Sequence, residues 1–138
     1  MRRGIRVKGV AVFEVDKDHS VVLLELQSIG LNTVVRRKSN LIRVALNAVA
    51  EIERYIKSRS DDIGRRKEYI MVVGRKRRQY LVCIMYMSLK APWRVKYVTL
   101  VSYVPGILKR MSIRLENMGW RRMLLFEYAK RFLTRKYY

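Results

Sequence analysis

Cationic side chains recur along the whole chain, at Arg2-Arg3, Arg36-Arg37-Lys38, Arg65-Arg66-Lys67, Arg75-Lys76-Arg77-Arg78, Arg121-Arg122 and Arg135-Lys136, with apolar stretches between them. A core cannot take up unpaired charges at that spacing, so the folded surface itself must be positive. Lys and Arg number 31 against 11 Asp and Glu, a formal net charge of +20 on 138 residues. A folded domain with that self-repulsion is destabilised unless a polyanion lies against it, which makes nucleic acid, DNA or RNA, the expected partner. Arg outnumbers Lys, and its planar fork grips phosphate through paired hydrogen bonds.

The apolar fraction, 50%, is far above that of a disordered basic tail, and the length suits one domain with its own core, residues 1–138. Few Asn, Gln and Cys beside many charged residues and Val/Ile is a composition met in thermophilic proteins. Cys83 is the sole cysteine and lies in an apolar run, which excludes an intrachain disulfide and a cysteine-based zinc site. No stretch reaches the roughly 18 apolar residues of a membrane span, so the expectation is a soluble, cytoplasmic protein of cellular or viral origin with no membrane partner.

Residues 5–15 alternate, with Ile5, Val7, Ala11, Phe13 and Val15 opposite Arg6, Lys8 and Glu14, the period of a half-buried strand. Asp16 to Ser20 supply turn residues, and 21–29 reads as a second strand returning as a hairpin, with 33–37 as a short third. From Ser39 or Asn40 the apolar residues Leu41, Val44, Ala45, Ala48, Val49, Ile52 and Ile56 recur at helical spacing to about residue 59. Residues 68–73 and 79–89 read as the arms of a hairpin whose loop is almost wholly cationic, and 94–104 as a further strand. A helix follows from Ile107 to a stop at 117–119, and a last helix from Trp120 to about 135 carries two apolar stripes. One of those stripes is available for a homodimer contact. The expected fold is α+β: an antiparallel sheet of about five strands with helices on one face, in the order ββ(β)α-βββ-αα.

The strongest local signal is the pair of basic runs Arg65-Arg66-Lys67 and Arg75-Lys76-Arg77-Arg78, at opposite ends of one strand and spaced to reach several phosphates. Arg36-Arg37-Lys38 precede a helix start, where cations are unfavourable unless an anion is bound there. Tyr80, beside the cationic loop, and Trp93, in the Ala91-Pro92-Trp93 break, are the aromatics placed to stack on bases.

Material for catalysis is thin. His19 is the single histidine and sits with Asp16 and Asp18, a grouping that reads as turn chemistry. No glycine-rich phosphate loop, nucleophile elbow or nuclease-like carboxylate spacing occurs, so neither metal, cofactor, small-molecule substrate nor catalytic residue is expected. The expected activity is non-catalytic grip on the phosphate backbone with little sequence specificity, coating or packaging the polymer. The alternatives are a ribonucleoprotein or ribosome-associated component and a small nuclease.

Overall fold

Apolar residues at both parities of a strand need cover on both of its faces, and the central strands impose that requirement here. In the computed structural model, which describes residues 6–35, 40–59, 65–73, 79–88 and 94–123, β1 (Gly9–Asp18) buries Ala11, Phe13 and Val15 on one side and Val10 and Val12 on the other. Strand β4 (Gln79–Met87) does the same with Leu81, Cys83 and Met85 against Val82, Ile84 and Tyr86. Between them runs β5 (Arg94–Ser102), paired antiparallel to both. With β2 (Asn32–Val35), β3 (Arg65–Val73) and β6 (Arg121–Arg122) they form one antiparallel sheet in the order β2-β3-β4-β5-β1-β6.

Helices cover both faces, not one. On the first face α1 (His19–Ser28) and α3 (Ile107–Asn117) bring Val22, Leu26, Met111 and Leu115 onto Phe13, Met85 and Leu100. On the second, α2 (Asn40–Arg59) lays Ile42, Ala45, Ala48, Val49 and Ile52 on Val12, Ile84, Tyr86 and Val101. The class is α+β as expected, but the sheet has six strands and the element order is β1-α1-β2-α2-β3-β4-β5-α3-β6. The hairpin expected between β1 and its successor is replaced by pairing of β1 with β5 and β6.

The largest departure is α1, in the stretch read as a strand. Its apolar run has no clear period, and such a run suits a strand or a helix equally. Two local signals decide for helix. Asp18 is an N-cap whose carboxylate accepts from the Ser20 N–H at 3.2 Å. Gly30, at φ +86°, closes the other end: its N–H donates to the Gln27 carbonyl and the Leu31 N–H to the Leu26 carbonyl. Those two bonds, with Leu26 and Leu31 both in the core, are a Schellman motif, which needs a residue at ease in the left-handed region.

The same motif ends α3. Gly119, at φ +91°, donates to the Glu116 carbonyl and Trp120 to that of Leu115. The turn delivers Trp120 into the core, edge-on to Phe13 with centroids 5.7 Å apart and planes at 74°. Such a pair contributes about 0.5–1.5 kcal/mol beyond its buried area. Arg121 and Arg122 then pair with Glu14 and Phe13 as β6, and the Met123 N–H donates to the Val12 carbonyl. The helix expected from Trp120 therefore does not begin there. Residues 124–138, the rest of that expected helix and its dimer stripe, lie outside the described residues.

Candidate nucleic-acid interface

The amphipathic period that buries one side of α2 fixes what its other side presents. Arg43, Asn47, Ala50, Arg54, Lys57 and Ser58 are exposed and fall at intervals of three and four, forming one ridge. At 1.5 Å rise per residue the ridge from Arg43 to Lys57 runs about 21 Å, the axial span of several duplex phosphates. Glu51, partly exposed, is the carboxylate beside it.

α3 repeats the arrangement on the opposite side of the sheet. Its inner side holds Met111, Ser112 and Leu115, and its outer side exposes Lys109, Arg110, Ile113 and Arg114 together with Glu116 and Asn117. Arg121 and Arg122 add two exposed cations on β6, and since neighbouring strand residues point to opposite faces they serve both surfaces. Arg6 and Lys8, ahead of β1, are exposed as well.

Glu116 is exposed on α3, but several of the other carboxylates are tied into the fold. Asp16, at a bulge in β1 with φ +50°, accepts from Arg94 Nε at 3.0 Å and stands 3.3 Å from Lys96 Nζ. The Arg94 guanidinium, with Lys96 adding to it, holds the Asp16 carboxyl below the usual carboxylate range. Asp18 caps α1, and Glu25 receives both Lys17 Nζ, at 2.9 and 3.0 Å, and Trp120 Nε1, at 2.9 Å. Lys17 Nζ also donates to the Met118 carbonyl at 2.6 Å, so one ammonium and one carboxylate tie β1, α1 and the end of α3 together. Glu53 is buried in α2, and Glu14 faces Arg121 across the β1–β6 ladder. Among the described residues, Arg43, Arg54, Lys57, Lys109, Arg110, Arg121 and Arg122 have no carboxylate within ion-pair distance.

Of the residues singled out by sequence, Arg65, Arg66 and Lys67 lie inside β3 rather than ahead of it. Arg65 pairs with Met87 and Arg66 with Tyr86, and the register shifts between Arg66 and Glu68, leaving Lys67 at a bulge. Tyr80 occupies a second irregularity, between Gln79, which faces Val73, and Leu81, which faces Val72. β3 and β4 are antiparallel neighbours as expected. Arg75, Lys76, Arg77 and Arg78 fall between them in the sequence. Those four residues, Arg36, Arg37, Lys38 and Trp93 lie outside the described residues. Helical spacing in the sequence places Arg43, Asn47, Glu51 and Arg54, and Lys109, Arg110 and Arg114, opposite the apolar stripes of α2 and α3, but contiguous runs outweigh isolated cations when contact residues are chosen from sequence.

His19 opens α1, while Asp16 turns to Arg94 and Asp18 to the helix end. Among the described residues no three His, Cys, Asp or Glu side chains converge as metal ligands. Burial pushes the Cys83 thiol up to about 12, which leaves it without thiolate character. No helix among the described residues is long and apolar enough to cross a membrane. The chain matches no protein-family model, no curated protein and no solved structure, so any reading of its function rests on its own residues.

Proposed function

We propose that this protein binds nucleic acid, DNA or RNA, through its phosphates with little reading of base sequence. The observation that carries the reading is the division of labour among charges. Asp16, Asp18 and Glu25 are tied into the fold, while Arg43, Arg54 and Lys57 on one side of the sheet and Lys109, Arg110 and Arg114 on the other project into solvent. Exposed cations that crowd and repel one another are the pattern expected when the stabilising partner is a separate polyanion. The contiguous run Arg75 to Arg78 and the triplets Arg36 to Lys38 and Arg65 to Lys67 add to the same charge.

Cations on both sides of the sheet favour a polymer that meets the molecule from more than one direction. A coating protein between neighbouring strands has that environment, and so does a component embedded in structured RNA. The two differ in stoichiometry: a coating protein takes up naked polymer with a fixed site size, whereas a particle component co-purifies with one RNA. Either reading implies a non-catalytic protein in the compartment that holds its nucleic acid. The test is anisotropy titration of single- and double-stranded DNA and RNA, each in unrelated sequences, with protein stripped of contaminating polymer. Affinities within about tenfold across sequences of one polymer are expected, and silence towards all four at moderate ionic strength rejects the proposal. Cleavage of labelled DNA or RNA, with or without Mg²⁺, that a single substitution abolishes would replace it with a nuclease.

A further inference from the structure

Where the end of α1 meets α3 the surface opens into a cleft of about 420 Å³. Ile29, Leu31, Ile107 and Met111 give it apolar walls, and the exposed Arg110 and Arg114 give it charge. The chain builds it in a definite way. The Schellman turn at Gly30 swings Leu31 back into the core and leaves the α1 terminus facing the first two turns of α3. Arg114 donates to the Ile29 carbonyl at 3.4 Å, which holds its guanidinium across the gap between the two helices. Arg110 stands one turn earlier on α3, about 6 Å away, so both guanidinium groups can reach a single anion. No carboxylate lines the cleft.

The first turn of α3 points the same way. Its N-cap is Gly106, which provides no side-chain hydrogen bond, and the turn carries Lys109 and Arg110 but no acid. Cations at the positive end of a helix dipole beside uncapped N–H groups are an arrangement that an anion stabilises. A lone phosphate needs neither the volume nor the apolar walls. The volume lies within the ~300–1,000 Å³ of small-molecule sites, and the pairing of an apolar wall with two planar cations suits an aromatic base joined to a phosphate.

We propose that this cleft takes one nucleotide, its phosphate held by Arg110 and Arg114 and its base against Ile29, Leu31, Ile107 and Met111. The proposal rests on the nucleic-acid reading for its natural source, an unpaired nucleotide of a bound strand, and the same chemistry would take a free nucleoside monophosphate. The experiment separates the two. A single-stranded oligonucleotide carrying one 2-aminopurine and an end label is titrated with wild-type protein and with the double variant Arg110→Gln/Arg114→Gln. Anisotropy of the end label reports binding, and 2-aminopurine emission at saturation reports whether the base has left its stack. In parallel, 2-aminopurine riboside 5′-monophosphate is titrated by calorimetry, and thermal melting checks that the variant folds.

With the strand as source, emission rises at saturation for the wild type and the rise is absent in the double variant. The control Arg43→Gln/Arg54→Gln/Lys57→Gln weakens the anisotropy signal but keeps the full emission change. With a free nucleotide as source, the monophosphate binds and the double variant weakens it at least about tenfold, as expected when two charge-assisted hydrogen bonds are removed. An emission change and a monophosphate affinity that are both the same in wild type and double variant overturn the cleft assignment, whatever the anisotropy does. If no oligonucleotide binds at all, the backbone-grip reading fails, and the monophosphate arm still decides the cleft.

Discussion

Two side-chain clusters show how single residues convert a charge excess into a defined structure. Glu25 is the acceptor for both Lys17 and Trp120, with the Lys17 and Glu25 side chains 23% and 19% exposed. Glu25→Ala would leave the indole N–H without its partner and the ammonium with only the Met118 carbonyl. The expected loss is about 1.5–3 kcal/mol, measured by urea denaturation, because a hydrogen-bonded charge is removed from a half-enclosed site. Asp16 is a contrasting case, at 56% exposure. Its carboxyl is held below its ordinary range by Arg94 and Lys96, so the folded state favours the ionised form. That contribution is complete above the unfolded carboxylate value of about 3.9 and disappears as pH falls through the lowered folded value. The stability difference between wild type and Asp16→Asn should therefore stay under about 1 kcal/mol at neutral pH and shrink towards zero in acid. A difference that stays unchanged in acid would place the main stabilising role of Asp16 in its backbone conformation.

At the scale of elements, two glycines mark the ends of two helices by the same bonds, and their replacement has a calculable cost. Gly30→Ala and Gly119→Ala each force an L side chain into the left-handed region, at about 1–2 kcal/mol each, read as a drop in denaturation midpoint. Steric conflict is a minor part of this: no atom lies within 4 Å of a Cβ built at Gly30, and at Gly119 the nearest is Lys17 Nζ at 3.7 Å. The pair also shows what was legible beforehand. Gly119 follows a run of clear helical period, so it reads as a helix stop. Gly30 follows Val21 to Gln27, whose apolar residues lie all round, so the same residue reads as a turn between strands. α2, α3 and the central strands were legible because each carries a clean period or a long β-branched run. The assignment of helices to opposite faces was not, because it depends on which strand lies beside which. β1 is paired with β5, whose facing residues lie 76 to 93 positions away in the chain. Of the candidate site, the basic character was plain from Arg and Lys spacing. The polar sides of α2 and α3 follow from helical spacing, whereas the cleft beside α3 depends on where the α1 terminus sits and is seen only in the structure.

The whole molecule poses a sharper question than whether it binds a polyanion: from how many sides it does so. The α2 ridge and the α3 outer side lie on opposite faces of one sheet, so a single straight duplex cannot lie along both. Every phosphate deprived of its cation should lower the slope of log Kobs against log[salt] by about 0.7 to 0.9. Arg43→Gln/Arg54→Gln/Lys57→Gln would then flatten the slope by about 2 to 2.7 if that ridge is in contact, and Lys109→Gln/Arg110→Gln/Arg114→Gln by a similar amount if the other side is. Over a fourfold rise in salt, each flattening means that wild-type affinity falls about 16- to 40-fold further than the variant's. Flattening in both variants that adds when the six substitutions are combined means that polymer lies on both faces, the state of a protein wrapped by its ligand or packed between strands. Flattening in only one assigns the contact to that face and leaves the other cations to solubility. If neither slope changes while binding persists, the grip lies in the basic runs at 36–38 and 75–78, and substitution of Arg75, Lys76, Arg77 and Arg78 should then produce the flattening that the two helices did not.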